Sequence, residues 1–166
     1  DFHRALAGPV ALDALLELLL ERLFAVLHAE EGLILLRQAD GSMKTAASRR
    51  LPGATGELVV SRRLTEEIVG KDTAALVSDV AMDDRFTGAQ SMIGAGIRSI
   101  LAAPISDSGG CLGMVAIYSR AKVRRFGEED LELLVSLASA AALRIRNLAL
   151  ADEAAERRVH DRELAL

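Results

Sequence analysis

The chain has 166 residues, of which 51% are apolar, 27% charged and only 3% aromatic, with a net charge of −4. That is one globular domain with a little chain left over, and its core must be filled by aliphatic side chains. The acidic balance argues against a dedicated nucleic-acid binder, the single cysteine (Cys111) rules out an internal disulfide, and the longest apolar stretch, Leu15–Leu27, is broken by Glu17, Glu21 and Arg22 before it reaches membrane-spanning length.

No secretory signal is visible, and a lone cysteine fits a reducing compartment, so a cytoplasmic location is expected. The arginine pairs Arg49-Arg50, Arg62-Arg63, Arg124-Arg125 and Arg157-Arg158 are scattered and read as solvated surface. The chain starts at Asp1 rather than Met and stops inside a helical pattern, which suggests a piece of a longer protein.

Residues 1–8 form a lead-in. Pro9 suits the first turn of a helix running to about His28, because its missing N–H costs nothing there. Asp13, Glu17 and Glu21 fall four apart and give that helix one narrow polar stripe. The rest of its circumference is apolar, which predicts burial on more than one side. Leu33–Leu36 reads as a strand, Asp40-Gly41 as a hairpin turn, and Met43–Ser48 as the return strand. Pro52, Gly53 and Gly56 mark a loop. Ser61–Val69 reads as a short helix stopped by Gly70, and Ala74–Ser78 as a strand.

Residues 83–96 are polar and dotted with glycine. Ser99–Ile105 and Leu112–Ser119 read as strands joined by Asp107-Ser108-Gly109-Gly110, a hairpin expected at the centre of a sheet with Ile100, Ala102, Val115 and Ile117 buried. Gly127 caps the last helix, and Glu128, Glu129 and Asp130 in its first turn complement the helix dipole. No Gly or Pro follows from Leu131 to Leu166, so this helix can extend for about 55 Å. The order of elements predicts an α+β layer arrangement rather than alternating βαβ units.

Four linked stretches carry a family resemblance. They are Leu33-Ile34-Leu35-Leu36 with its Ala39-Asp40-Gly41 turn; Leu76-Val77-Ser78-Asp79-Val80 followed by Asp83-Asp84-Arg85-Phe86; Ile97 to Ile105; and Leu112-Gly113-Met114-Val115-Ala116-Ile117-Tyr118 followed by Phe126 and the acid-opened helix. In order and spacing, across about residues 10–150, they resemble the GAF family of sensor domains. The resemblance implies a PAS-like antiparallel sheet of five or six strands, with the N- and C-terminal helices on one face and a ligand pocket on the other. It implies no catalysis. Within it, residues 9–150 are the sensor domain and 151–166 the start of a coiled-coil linker to an output domain.

The segment 79–98 over the sheet is the expected site, with Asp79, Arg85, Phe86, Met92, Ile97, Ala102 and Tyr118 as candidate lining residues. No catalytic or metal-binding set is found. Asp79, Asp83 and Asp84 lack further ligands at suitable spacing and read as turn caps, with Arg85 pairing one of them. Cys111 lacks an adjacent His or second Cys, which argues against bilin attachment and against the cysteine chemistry of GAF-fold methionine sulfoxide reductases. The Asn-Lys…Phe…Asp-Glu motif of cyclic-nucleotide-binding relatives is missing, because the only Asn is Asn147. No cofactor is assigned.

The last helix carries Leu131, Leu134, Ala138, Ala141, Ile145, Leu148, Ala155, Val159 and Leu166 at 3/4 spacing, then turns charged after Ala151. That pattern predicts a core helix passing into a coiled coil, and hence a parallel homodimer. Its expected interface is Leu16, Leu20, Leu134, Ala138, Ala141, Ile145 and Leu148. The downstream output would be a phosphatase, cyclase, kinase or transcription activator. A ligand-free dimerisation spacer is the alternative.

Overall fold

The structure, a computed structural model, describes residues 9–52, 62–80, 97–120 and 126–165. Helix α1 (Pro9–Leu27) leads into strands β1 (Glu31–Arg37) and β2 (Met43–Arg50). A short helix α2 (Arg62–Thr65) widens into a π-helical turn over Glu66–Gly70, followed by β3 (Ala75–Val77). Strands β4 (Ser99–Asp107) and β5 (Gly110–Ser119) form the long hairpin, and α3 (Glu128–Ala165) closes the chain.

The five strands make one sheet in the order β2-β1-β5-β4-β3, with every neighbouring pair antiparallel. The hairpin 99–119 occupies its middle, as its aliphatic content predicts, and Ile100, Ala102, Val115 and Ile117 are all fully buried. Alternation along each strand divides the interior into two cores. Ile34, Leu101, Ala103, Ile105, Val115 and Ile117 face α1 and α3, meeting Leu16, Leu20, Leu23, Leu134, Ala138 and Ile145. Leu33, Leu35, Ile100, Ala102, Met114, Ala116 and Tyr118 point the other way, toward Leu64 and Ile68.

Local chemistry explains the boundaries. The chain leaves α1 through His28, a left-handed residue (φ 53°) whose N–H donates to the Phe24 carbonyl at 3.0 Å. Gly32 lies where a Cβ would collide with Phe24 and Ile117, so its bare backbone lets α1 settle on the sheet. At the β1–β2 turn, Gly41 takes φ 87° and Asp40 accepts a hydrogen bond from the Ser42 N–H at 2.9 Å. At the start of α3, the Gly127 N–H donates back to Asp130 at 2.8 Å, the reciprocal half of a capping box.

By length and composition, Glu128–Ala151 within α3 could cross a membrane, although the sequence reading found no run that long. Here one face of it is committed to the sheet through Leu134, Ala138, Ala142 and Ile145. Much of the remaining apolar surface is uncovered, and Val135, Leu143 and Leu150 stand exposed.

Candidate functional site

The sheet face turned away from α1 and α3 is organised in cross-strand rows. Register places Arg50, Glu31, Tyr118, Ile100 and Val77 in one row spanning all five strands. The next row holds Ser48, Leu33, Ala116, Ala102 and Ala75. Three alanines side by side make a low floor beside the tall phenol of Tyr118.

The polar end of this face is built around Glu31, which is wholly buried although charged. Its carboxylate accepts hydrogen bonds from Arg50 (Nη2 at 2.7 Å, Nε at 3.1 Å) and from Arg120 (Nη2 at 3.0 and 3.1 Å). A buried carboxylate needs such partners, because leaving water costs several kcal/mol on the order of its full desolvation penalty. Arg50 is therefore half-buried structure and not the solvated surface that its sequence context suggested, whereas Arg49 is exposed and stacks over the Phe24 ring at 5.5 Å.

Tyr118 stands next to this cluster in the same row. Its hydroxyl is buried and has no hydrogen-bond partner among the described residues. Burial, and secondarily the Glu31 charge, push the phenol above its ordinary pKa of 10.0, so it is neutral. At the neighbouring strand end, Asp79 is half-buried and pairs with Arg98 at 3.4 Å, while the buried Arg98 Nε has no partner among the described residues. The Val80 N–H donates to the Arg98 carbonyl at 2.8 Å, which holds the end of the β3 segment against β4.

Of the seven lining residues read from the sequence, Ile97, Ala102 and Tyr118 fall in one buried cluster on this face, and Asp79 lies at its edge in the Arg98 pair. Arg85, Phe86 and Met92 lie outside the described residues. Glu31, Arg50, Arg98 and Arg120 were not anticipated. The one local signal was the polar doublet Glu30-Glu31 at the mouth of an apolar strand. Cys111 is half-buried, with its thiol donating to the Gly113 carbonyl at 3.2 Å. Among the described residues no group of three His, Cys, Asp or Glu side chains is placed to hold a metal.

Of the expected interface residues, Leu16, Leu20, Leu134, Ala138, Ala141 and Ile145 are buried within the single chain, in its own helix-facing core, and Leu148 is partly open. Apolar spacing locates the face a helix buries but not whose surface buries it.

Across the sheet, α3 is fastened by an ion pair at the hairpin tip. Arg146 grips Asp107 with two bonds, Nε at 2.6 Å and Nη2 at 2.8 Å. Arg146 lies one residue beyond Ile145, the last buried residue of α3 among those described.

The sequence matches the family described as GAF domain over residues 11–145. The chain belongs to the GAF domain family. Solved GAF structures share its fold. The blue-light-absorbing form of the PixJ GAF domain of Thermosynechococcus elongatus superposes with a TM-score of 0.74 at 13% identity, covering 90% of this chain and 94% of that one. A GAF domain/HD domain protein from Geobacter sulfurreducens gives 0.71 at 18% identity, over 87% and 98%. A domain of a two-component sensor histidine kinase from Sinorhizobium meliloti gives 0.61 at 19%, over 86% and 94%. Among curated proteins, none matches this sequence. GAF domains are generally regulatory modules, and identities this low establish the architecture of the present one alone.

Proposed function

We propose that this GAF domain is a non-catalytic, cytoplasmic sensor that relays a signal to an output domain joined to its C-terminus. Its input is a small ligand held on the sheet face opposite the helices, or the state of an upstream domain. Its output travels along α3. The observation that carries this reading is the length of that helix: it continues from Ile145, the last of its residues buried against the sheet among those described, to Ala165, about 30 Å further. A helix needs no such extension to cover a sheet this size, and a rigid rod is suited to transmit a shift.

In this reading residues 1–8 are a lead-in, 9–150 the sensor and 151–166 the beginning of a coiled-coil linker. Two chains pair in parallel, so that both output domains (phosphatase, cyclase, kinase or transcription activator) emerge on one side. The histidine kinase and GAF/HD neighbours supply analogies for such an arrangement. Neither nucleic acid nor membrane is a partner.

The ligand reading draws support from the buried Tyr118 hydroxyl and the alanine floor beside it. Tyr118 is the only tyrosine and there is no tryptophan, so intrinsic fluorescence reports on this face alone. Titration with a panel of nucleotides and aromatic carboxylates, followed by fluorescence and calorimetry, should yield at least one saturable response. Absence of any response across the panel would favour the ligand-free dimerisation spacer, which the scarcity of aromatic stacking surfaces also supports. Cyclic GMP should bind weakly, because the motif of its GAF receptors is missing.

A further inference from the structure

Helices α1 and α3 lie side by side on the sheet and run antiparallel, and the seam between them is not filled. Toward the start of α1, Ala11, Ala14 and Leu18 face Asn147 and Leu148 across a hollow of about 520 Å³. A smaller hollow of about 160 Å³ continues it toward the end of α1, between Arg22 on one side and Leu137 and Ala140 on the other. The two meet at Leu15, Leu18 and Arg144, which line both. Side chains of neighbouring helices normally interlock, and well-packed seams leave few voids larger than a water molecule. Here alanines stand at the contact from both helices, and a groove is left open above them.

The larger hollow has the size of a small-molecule site, which typically spans roughly 300–1,000 Å³ and pairs apolar walls with a few polar groups. The lining decides what fits. Its body is leucine and alanine, with no aromatic ring and so no stacking surface for a planar ligand. Its polar groups are the guanidinium groups of Arg22 and Arg144 and the Asn147 amide, and no carboxylate lines either hollow. Both arginines are exposed, and neither forms an ion pair among the described residues. Hydrocarbon walls with positive charge at the rim complement a hydrocarbon chain that ends in an anion. From Ala11 to Arg22 the groove follows α1 for about 16 Å, the reach of a chain of about a dozen carbons.

We infer that this groove binds a free, single-chain aliphatic acid of the fatty-acid class. Its chain lies in the larger hollow and its carboxylate at Arg144, where Arg22 adds a second positive charge. The site is on the helix side of the molecule, apart from the sheet-face ligand of the preceding section, and stands independently of it. Its position gives it a consequence for α3. The residues it uses there, Arg144, Asn147 and Leu148, straddle Ile145, the last of the described residues of that helix buried against the sheet. A bound chain ties this turn to α1, so it stiffens α3 at the point where packing on the sheet ends.

The test is a fluorescence titration with cis-parinaric acid, which brightens on leaving water for an apolar site, with circular dichroism to verify folding of every variant. The probe should saturate at one per chain. Leu18 is 42% exposed, so Leu18→Glu tests the groove without opening the core; it and Arg144→Glu should each weaken binding by about tenfold or more. Leu143→Glu, at a position 58% exposed on α3 and outside both hollows, should leave binding unchanged. Straight-chain acids should displace the probe with affinity rising roughly threefold to fourfold per methylene up to about dodecanoate. Dodecanol, which lacks the charge, should compete at least about tenfold less well. A titration that does not saturate, or one indifferent to Leu18→Glu and Arg144→Glu, would overturn the site. Dodecanol competing as well as dodecanoate would overturn the acid as its ligand. Probe affinity that falls as protein concentration rises would also overturn the inference, and would give the groove to a second copy of the chain.

Discussion

Val115 and Ile117 on β5 point to the terminal helices, while Ala116 and Tyr118, their immediate neighbours, point to the opposite face, and the two settings differ in kind. The core on the helix side is hydrocarbon apart from Ser99 and Ser119 at its rim, with the Asp107–Arg146 pair at the hairpin tip. The opposite side mixes aliphatic side chains with a phenol that lacks a hydrogen-bond partner among the described residues, next to a buried carboxylate held by two guanidinium groups. Close-packed hydrocarbon makes the first face a rigid mount, and the polar groups give the second something to recognise with. One strand thus serves stability on one side and specificity on the other.

That contrast predicts a gradient of mutational cost. The largest effect belongs to the mount: Leu20→Ala, at a fully buried position between α1 and the sheet, should cost about 3 kcal/mol in denaturant unfolding, within the usual range for a buried leucine. A loss under about 1 kcal/mol would mean the helix packs loosely and would dissolve the distinction between the faces. Next comes the polar end of the other face. Glu31→Ala strands two arginines whose side chains retain 28% and 24% exposure, so the cost should be about 2 kcal/mol, less than for fully buried partners.

Tyr118→Phe should move stability in the opposite direction. A buried hydroxyl with no hydrogen-bond partner among the described residues is a desolvation cost with no return from them, so its removal should stabilise the unliganded chain by about 1 kcal/mol while weakening any ligand that uses the hydroxyl. A stability loss of that size would show that the hydroxyl is paired in solution. The same residue gives an alkaline signature. Because burial raises the folded-state pKa above 10.0, stability is complete below that value and declines as pH rises past it, when only the unfolded chain can ionise freely. The Phe variant should lose this alkaline decline.

The architecture was legible in sequence where one element carried its own signal. Alternating aliphatic residues around Gly109-Gly110 specified the hairpin, and Gly127 with three acids specified the start of α3. Strand β1 starts at Glu31, earlier than its apolar run at Leu33, because a buried glutamate looks like a loop residue until its arginines are known. Those arginines lie 19 and 89 residues away, so no local pattern joins them. The π-helical turn at Glu66–Gly70 has no sequence signature beyond the glycine that ends it. On the candidate face, Tyr118, Ala102 and Ile97 follow from the expectation that the segment 79–98 lies over the sheet, whereas the Glu31 cluster required the register of three strands.

The smallest effect tests the ionic fastening at Asp107 and Arg146 between the sheet and the outgoing helix. The Arg146 guanidinium, hydrogen-bonded to Asp107, holds that carboxyl below its ordinary value of 3.8 in the folded chain. A folded-state pKa below the unfolded one gives stability that is fully present at pH values above 3.8 and is lost as pH falls through the lower folded value. Asp107→Asn should therefore lower the melting temperature slightly at pH 7, and the gap between variant and wild type should close in strong acid. Salt should narrow it too, because the pair is partly open to solvent. The more informative readout is hydrogen exchange along α3. Losing a tie at Arg146 should speed exchange in the amides just beyond it while leaving Leu134–Ala142, anchored by hydrocarbon, unchanged. Uniform acceleration along the whole helix would mean that the ion pair supports the mount itself, and that the helix-facing side of the sheet depends on charge as well as on packing.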